Sequence, residues 1–417
     1  MDNAAYANEL AESMIRAKRE LRTVPGEKRD AVLRRVAAAL RERKAGILAE
    51  NAKDVEAARG KLSDVMLDRL ALNDRRVDDM ARGVEQIAAF RDPVGAVLDS
   101  RVTEDGLKIS KVSVPLGAIF FIYESRPNVT IDGAALCLKA GDAVILRGGK
   151  ESLRSCVALA NVVREALEAE GISPDAVRLV DRPDHEIVSM LLKRGDALDV
   201  VIPRGGERLI RAVVEQSVVP VLKHYKGICH VYVDRDADMA KVLPIVVNAK
   251  AQRPSVCNAM ETLLVDRALG AEKTREILDA LKAANVEIVG DEEIRKIDPS
   301  VGAATDEDWD TEYLALKLSA KVVDGVDGAI AHIEAHSSGH TESILTENAE
   351  TAERFLARVD SSSVMHNAST RFSDGGMYGL GAEVGISTDK LHARGPMGVD
   401  SLTSYKWVVR GNGQIRK

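Results

Sequence analysis

The 417-residue sequence is poor in aromatic side chains, which make up 3% of it, and it has only four cysteines. Few aromatics argue against the base-stacking surfaces of single-strand nucleic-acid binders. A formal net charge of −7 offers no general basic surface for a polyanion. No run of about 18 apolar residues occurs. We therefore expect a protein that binds neither nucleic acid nor a membrane.

Signals for export are also missing from the sequence. The N-terminal stretch MDNAAYANELAESMIRAKRELRT is charged and amphipathic, without the apolar core of a secretory signal. The cysteines form no CxxC pair, and a chain of this length does not need disulfide staples. Reduced thiols and a cytoplasmic location are expected. With 45% apolar and 29% charged residues, the chain can form two or three folded domains.

Hydrophobic spacing predicts a helical region over residues 5–90. Alternating stretches around Asp105-Gly106 predict a β-hairpin near residues 97–113. Strand and helix patterns then alternate from GAIFFIY to GGERLIRAVVEQS, and again from HVYVDRDADMAKVLPIVVNAK to about residue 365. Such repeats predict an α/β fold with parallel sheets between helices, which often bind nucleotides. The final segment, SLTSYKWVVRGNGQIRK, predicts an extended strand and tail.

One cysteine, Cys257, has a setting that suits chemistry. It lies in AKAQRPSVCNAMETLLV, on a loop between a predicted helix and a predicted strand, with Arg253 close in sequence. A thiol on a loop beside positive charge can ionise and attack a carbonyl carbon. From the pattern alone a structural role stays open. Apolar neighbours predict ordinary core positions for Cys137, Cys156 and Cys229.

Two glycine pairs follow predicted strands, in VILRGGKES and in VVIPRGGERLI. Backbone amides such as those of Gly205 and Gly206, at a helix N-terminus, can face a pyrophosphate. Neither segment is GxGxxG or GxxxxGK[ST], so tight turns without a ligand stay an alternative. Arg147 and Lys150 flank the first pair, and basic side chains there suit the 2′-phosphate of NADP rather than a ribose hydroxyl.

Three histidines, His332, His336 and His340, follow one another at a spacing of four in AHIEAHSSGHTES. This spacing aligns side chains on one face of a helix, so a metal site is one interpretation. However, the Ser-Ser-Gly run predicts that the helix ends before His340, and no cysteine or acidic ligand set accompanies the histidines. We expect polar or substrate contacts here and no metal.

Several segments resemble the aldehyde dehydrogenase superfamily in their order along the chain: VPLGAIFFIYESRPNVT, GDAVILRGGKES, IPRGGERLI and QRPSVCNAMETLLV. The stretch VDGVDGAIAHIEAHSSGHTESIL resembles, more specifically, the gamma-glutamyl phosphate reductase (glutamate-5-semialdehyde dehydrogenase) family. The resemblance covers nearly the whole chain and implies two Rossmann-like parallel-sheet domains with a small β oligomerisation element, in a homodimer or homotetramer. The implied segments are an NADP-binding domain of 1–96 and 114–228, a catalytic domain of 229–395, and an oligomerisation element of 97–113 and 396–417.

The resemblance also implies residue roles. Cys257 corresponds to the nucleophile. NADP contacts are implied for Arg147 and Lys150 at the adenosine ribose, for Gly205 and Gly206 at the pyrophosphate, and for Glu312 at the nicotinamide ribose. In relatives that prefer NAD, the position of Lys150 is commonly acidic, which is why NADP is the expected cofactor.

Two segments depart from the hydrolytic relatives. Their oxyanion-binding asparagine lies in a PWNF-like segment, whereas the simple alignment places Arg126 there in this chain, and Asn128, two positions along, is the candidate donor. Their water-activating glutamate is absent from VLKHYKG, where Lys223 and His224 lie. A hydrolytic enzyme needs that base. A reductase of an acyl phosphate must instead exclude water, although a CoA-dependent relative would also lack the base.

The implied reaction is the NADPH-dependent reduction of L-glutamyl 5-phosphate to L-glutamate 5-semialdehyde and phosphate, through a thioester on Cys257, in proline biosynthesis. Glutamate 5-kinase, which makes such an acyl phosphate, is the expected functional partner. Two alternatives stay open, a CoA-acylating aldehyde dehydrogenase and a non-catalytic binding protein with the same fold. Candidates for holding the anionic groups of the substrate are Arg126, Arg253, His340 and Arg371.

Overall fold

The computed structural model describes residues 1–416 and divides into two compact units. The first unit comprises Met1–Lys223, Gly379–Gly385 and Met397–Lys417, and the second comprises His224–Tyr378 and Ile386–Pro396. Each unit has its own parallel sheet, so the predicted α/β class is confirmed. The finer division into NADP-binding, catalytic and oligomerisation segments stays a prediction.

Five helices open the first unit, as the hydrophobic spacing predicts. Their apolar faces are buried: in the last of them Val77, Met80, Val84 and Ile87 recur at helical spacing and lie in the core. That helix is capped by Asn73, whose side chain accepts a hydrogen bond from a backbone N–H of the first turn. The five helices are α1 (Asn3–Leu21), α2 (Gly26–Glu42), α3 (Lys44–Ala58), α4 (Asp64–Leu70) and α5 (Asp74–Ala89).

Alternating strands and helices follow in the first unit. Four parallel strands form a sheet in the order β5-β4-β3-β6. All residues of β3 and β4 are buried, which explains their continuous apolar runs. The elements are β3 (Ala118–Tyr123), α6 (Asn128–Ala140), β4 (Ala143–Arg147), α7 (Leu153–Ala169), β5 (Val177–Leu179), α8 (His185–Leu191), β6 (Val200–Arg204) and α9 (Glu207–Gln216). The C-terminal ends of parallel strands share one edge, so the turns after β3, β4 and β6 lie on the same side of the sheet.

A separate three-stranded antiparallel sheet also belongs to the first unit. It consists of β1 (Val97–Val102), β2 (Lys108–Pro115) and β16 (Thr403–Arg410), with β2 in the centre. The predicted turn at Gly106 has a φ of 79°, which glycine adopts without strain. The predicted hairpin and C-terminal strand are therefore present in one sheet, and its role in oligomerisation stays a prediction.

The second unit is built on a seven-stranded parallel sheet, in the order β10-β9-β11-β8-β7-β12-β13. Its strands are β7 (Cys229–Val233), β8 (Met260–Asp266), β9 (Glu287–Gly290), β10 (Gly302–Ala303), β11 (Lys317–Val323), β12 (Thr341–Leu345) and β13 (Ser363–His366). Its helices are α10 (Met239–Ala251), α11 (Ala271–Ala283), α12 (Glu292–Ile297), α13 (Gly325–His336) and α14 (Ala349–Arg358). Two further short strands, β14 (Gly385–Ser387) and β15 (Gly395–Met397), pair with each other. Among the described residues, every helix is too short or too polar to cross a bilayer.

Candidate active site

The predicted nucleophile, Cys257, lies in the second unit on a loop between α10 and β8, residues 252–259, called the thiol loop below. It is the one partly exposed cysteine, since the other three are buried. The buried backbone of Gly227 packs directly on it: a Cβ added to Gly227 would overlap the Cys257 carbonyl oxygen and lie 2.6 Å from its Cα. The Cys229 thiol donates to the same carbonyl at 3.2 Å. The backbone of Cys257 is thus held in place.

Two histidines converge on this thiol. The ring nitrogens of His224 and His340 and the sulfur of Cys257 each offer one atom within 4.8 Å of the others. Nδ1 of His224 donates to the carbonyl oxygen of Ile386 at 2.9 Å, which leaves Nε2 as the acceptor nitrogen. His340 is fully buried, and burial, with a smaller contribution from His224, lowers its pKa to about 3. Its imidazole is therefore neutral at ordinary pH.

The three histidines of AHIEAHSSGHTES do not form one set. Helix α13 ends at His336, before His340, as the Ser-Ser-Gly run predicts. The rings of His332 and His336 pack at a tilt of 40° with centroids 4.5 Å apart, and His332 also contacts Trp309. Only His340, of the three, takes part in the cluster with Cys257. Sequence spacing missed His224 as its companion, because the two histidines are more than a hundred residues apart.

Two arginines lie beside the thiol loop. Arg371, in a 3₁₀ turn over Thr370–Phe372, is half-buried and donates from Nε to the side-chain oxygen of Gln252 at 2.9 Å. Burial lowers the Arg371 pKa, the positive charge of Arg253 lowers it further, and Cys257 acts in the opposite direction. Asn258 Nδ2 donates to the Ser373 carbonyl at 2.8 Å and ties the loop to this turn. Arg371 interacts electrostatically with both Arg253 and Cys257, and guanidinium groups in this setting suit an anionic, phosphate-bearing substrate.

Glu312 is held by the same glycine that packs against Cys257. Its Oε1 accepts a hydrogen bond from the Gly227 N–H at 2.9 Å, so Glu312 and Cys257 are held by one glycine. Below them, Lys250 and Glu261 form a fully buried ion pair of 2.6 Å. Burial raises the Glu261 pKa to about 7 and lowers that of Lys250, and Glu261 also accepts from the Leu314 N–H at 3.3 Å.

This ion pair was not predicted from the sequence. A single lysine in an apolar helix and a single glutamate in an apolar strand were its only signals, and each one by itself is commonplace.

In the first unit, the turn after β4 carries the predicted 2′-phosphate contacts. Lys150 is exposed and begins a short 3₁₀ turn, whereas Arg147 is buried, and burial lowers its pKa. A Cβ on Gly149 would lie 2.9 Å from the backbone nitrogen of Ser125, so only glycine fits there without movement. Of the two basic residues, Lys150 is the one whose charge is open to a ligand.

The second glycine pair lies between β6 and the N-terminus of α9. Oε1 of Glu124 accepts a hydrogen bond from the Gly206 N–H at 2.8 Å, and a Cβ on Gly205 would lie 2.7 Å from the same oxygen. A carboxylate is therefore bound at a helix N-terminus, where the dipole favours an anion. A pyrophosphate at this turn would replace Glu124, which sequence analysis did not identify.

The turn between β3 and α6 carries Arg126 and Asn128, both half-buried in the first unit. Asn128 begins α6, and its amide donates to Asp132 at 3.1 Å. Burial raises the Asp132 pKa to about 6. The Asn128 amide is thus already oriented by a carboxylate one turn along its own helix, and its role as oxyanion donor stays a prediction.

Comparison with known proteins places these features in a family context. The aldehyde dehydrogenase family model matches residues 1–315, which include Cys257. A gamma-glutamyl phosphate reductase from Rhodospirillum rubrum is 53% identical over 401 residues, covering 96% of this chain and 94% of that protein. One from Desulfotalea psychrophila is 50% identical, covering 98% of both chains.

Solved structures agree in fold. The crystal structure of a gamma-glutamyl phosphate reductase from Thermotoga maritima is 45% identical and superposes with a TM-score of 0.97, covering 99% of this chain and 100% of that one. An acetylating aldehyde dehydrogenase from Geobacillus thermoglucosidasius, at 17% identity and a TM-score of 0.70, covers 100% of this chain and 98% of its own. The second likeness concerns the fold alone.

Proposed function

Because the chain belongs to the aldehyde dehydrogenase family and, within it, to the gamma-glutamyl phosphate reductases, we propose that it reduces L-glutamyl 5-phosphate to L-glutamate 5-semialdehyde with NADPH. This reaction belongs to proline biosynthesis. The observation that carries the proposal is the partly exposed Cys257 thiol with Arg253 and Arg371 beside it, in a chain about half identical to reductases of that name.

In the proposed chemistry, the Cys257 sulfur attacks the C5 carbonyl carbon of the acyl phosphate. A carbon–sulfur bond forms, the carbonyl electron pair moves to oxygen, and on its return the carbon–oxygen bond to phosphate breaks. Thiol ionisation requires a proton acceptor, and we assign that role to Nε2 of His224, because its Nδ1 proton is donated to the Ile386 carbonyl and its ring belongs to the cluster with Cys257. The products of this step are a thioester and inorganic phosphate.

The two arginines are proposed to hold the departing phosphate. Arg253 and Arg371 place two positive charges beside the thiol loop, which favours the phosphate dianion as leaving group. The half-buried Arg371 is oriented by Gln252. His340, Arg126 and Asn128 are kept as candidates for the remaining polar groups of the substrate and for its oxyanion.

The cofactor proposal is NADP, on residues of the first unit. Close packing at Gly149 and Gly205 requires glycine at two strand-end turns, the Gly206 N–H already binds a carboxylate oxygen there, and Lys150 adds an exposed positive charge. Glu312 of the second unit is kept as the proposed ribose contact. When bound, the dinucleotide supplies hydride to the thioester carbon. The protein must then hold the thiol loop still and exclude water, because hydrolysis would waste the thioester.

The predicted segments form part of this proposal. Residues 1–96 and 114–228 are proposed to bind NADP, residues 229–395 to carry the chemistry, and residues 97–113 with 396–417 to join subunits. The break between the two compact units, after Lys223, supports the boundary between the first two. Glutamate 5-kinase stays the proposed functional partner, since an acyl phosphate is unstable in water.

The test is the reverse reaction. Pyrroline-5-carboxylate, in equilibrium with the open aldehyde, is mixed with NADP and enzyme, and NADPH absorbance is followed with and without inorganic phosphate. We expect NADPH only when phosphate is present. NADPH without phosphate would indicate a hydrolytic enzyme, and a signal that needs CoA would indicate the CoA-acylating alternative. Either result would overturn the proposal.

Two variants test whether the activity depends on the Cys257 thiol. Cys257→Ser should lower turnover by roughly a thousandfold or more while NADPH still binds, because the nucleophile is lost and the cofactor site is not. Cys137→Ala, at a buried position of α6, is the matched control and should keep its activity. Equal activity in both variants would remove Cys257 from the role of nucleophile.

A further inference from the structure

The cluster formed by His224, Cys257 and His340, called the His-Cys cluster below, has a donor set beyond what the proposed reaction needs. A thiol sulfur and two imidazole nitrogens lie within 4.8 Å of one another. Two imidazoles and a thiolate are the ligand types that zinc prefers in proteins. Acyl transfer to a thiol requires one proton acceptor, so the second histidine is not needed as a base.

We propose that the His-Cys cluster is a binding site for a borderline-soft divalent cation of the zinc type, which masks the Cys257 thiol reversibly. Binding of the cation does not depend on the proposed function. Inhibition of turnover by the cation does rest on the proposed function. The bound state has three protein ligands and a fourth position for water or an anion. Binding replaces the thiol proton by the metal and releases that proton to solvent, with no change of oxidation state.

The distances are compatible with this coordination. Zinc–nitrogen and zinc–sulfur bonds of about 2.0–2.1 and 2.3 Å place tetrahedral ligand atoms roughly 3.3–3.6 Å apart. The observed upper separation of 4.8 Å therefore has to shrink by roughly 1 Å. Cys257 is on a loop and partly exposed, so rotation of its side chain can supply that movement.

One ring nitrogen of each histidine already has a polar partner in the protein. His224 donates its Nδ1 proton to the Ile386 carbonyl, and Nδ1 of His340 lies 2.8 Å from the Thr341 hydroxyl. Metal-binding histidines characteristically use one nitrogen in this way, which orients the other toward the ion. Nε2 of His340 is buried and has no hydrogen-bond partner among the described residues. A buried polar atom without a partner is rare, and a bound cation would satisfy it.

The donor set determines the selectivity of the site. Cys229, 3.6 Å from His340 Nδ1, is fully buried, and its thiol already donates to the Cys257 carbonyl, so we do not count it as a ligand. The positive charge of Arg371 favours an anion in the fourth position. Imidazole and thiolate ligands suit zinc, whereas magnesium prefers oxygen ligands. We therefore expect zinc to bind and magnesium not to bind.

The experiment measures binding directly. Full-length protein is stripped of metal with a chelator and dialysed against low-micromolar Zn²⁺, and bound metal is counted by elemental analysis. Co²⁺ then replaces Zn²⁺, so that a thiolate-to-cobalt charge-transfer band reports ligation by sulfur. The variants are Cys257→Ser, His340→Gln and His224→Gln. His185→Gln, at an exposed position in the first unit, is the control. Circular dichroism checks that each variant is folded.

We expect one Zn²⁺ per chain in the wild type and the control, and affinity lowered tenfold or more in each of the three variants. Zn²⁺ should also slow alkylation of Cys257 by iodoacetamide, and excess Mg²⁺ should not. No stoichiometric Zn²⁺ in the wild type, or equal binding in Cys257→Ser, would overturn the site. If His340→Gln fails to fold, Cys257→Ser and the cobalt band decide. None of these readouts depends on which reaction the enzyme performs.

Discussion

At the scale of single residues, Gly227 determines where the backbone of the proposed nucleophile, Cys257, lies. Its missing side chain allows the backbone of residues 227 and 257 to touch. Gly227→Ala should lower turnover by roughly a hundredfold, because displacing a reacting group by about 1 Å has an effect of that size. Steady-state kinetics and thermal melting measure it. The control is Gly83→Ala, in a helix with open space around it, which should leave activity unchanged. Equal activities would show that the thiol loop adapts.

The proposed preference for NADP can be tested at one side chain. Lys150→Glu should weaken NADPH binding by about 1.5–3 kcal/mol, roughly ten- to a hundredfold, because a charged hydrogen bond to the 2′-phosphate is replaced by repulsion. NADH binding should change little. Fluorescence titration with both cofactors measures the difference, and Lys193→Glu, an exposed lysine elsewhere in the first unit, is the control. Equal weakening of both cofactors would contradict our assignment of this turn.

Asp132 should make the free energy of unfolding depend on pH in a direction that follows from its pKa. Its pKa in the folded chain is about 6, above the ordinary 3.8, so the folded protein holds this proton more tightly than the unfolded one. Its contribution to stability is therefore largest below pH 4 and declines as the pH rises toward 6. Asp132→Asn should raise the unfolding free energy at pH 7 by up to about 3 kcal/mol and have little effect at pH 4. Denaturant unfolding at both pH values checks this, and a gain independent of pH would contradict it.

The loop position of Cys257 and the neighbouring arginine made it a candidate nucleophile, and the family resemblance implied that role, which stays a prediction. The sequence did not predict His224, Glu124 or the Lys250–Glu261 pair. Residue types and short spacings are visible in a sequence, whereas contacts such as Gly227 against Cys257 depend on which strands become neighbours. The roles of the other candidate residues stay predictions, because they depend on ligands and not on the fold.

At the scale of elements, α10 and β8 are joined by the buried Lys250–Glu261 pair. Removing one partner leaves the other charge buried and unpaired, so Glu261→Gln should lower the unfolding free energy by about 3–5 kcal/mol. Lys250→Met combined with Glu261→Gln should recover much of that loss, because neither charge then remains. Denaturant unfolding of the single and double variants measures this. A double variant that is less stable than Glu261→Gln alone would contradict this expectation. It would show that removing the second charge does not recover the lost stability.

Most elements were predictable because their patterns are long. The helices of the N-terminal region and the buried strands β3, β4, β7 and β8 follow from spacing and apolar runs. The short strands β10, β14 and β15, of two or three residues, were not predicted. Too few residues are present there to establish a period, and backbone pairing alone defines them.

At the scale of the whole molecule, the sheet of β1, β2 and β16 exposes a row of apolar side chains. Tyr405, Trp407 and Val409 alternate along β16, share one face and are each about half exposed. Exposed apolar rows of this kind mark interfaces between subunits. The predicted dimer or tetramer would use them.

Trp407→Glu combined with Val409→Glu should therefore convert the oligomer to a folded monomer, because buried charge at an interface is strongly unfavourable. Light scattering coupled to gel filtration measures the mass. Val218→Glu, at an exposed apolar position outside this sheet, is the control and should leave the mass unchanged. A wild-type protein that is already a monomer would contradict the prediction.

The pairing of β16 with β2 also has a consequence for biosynthesis. Strand β2 leaves the ribosome well before its second neighbour β16, and the whole second unit is encoded between them. The nascent chain must therefore carry an unpaired strand edge while the second unit is made, which is a period of exposure to aggregation. We expect the second unit to mature first, and the first unit to finish folding only after β16 has been made and has paired with β2.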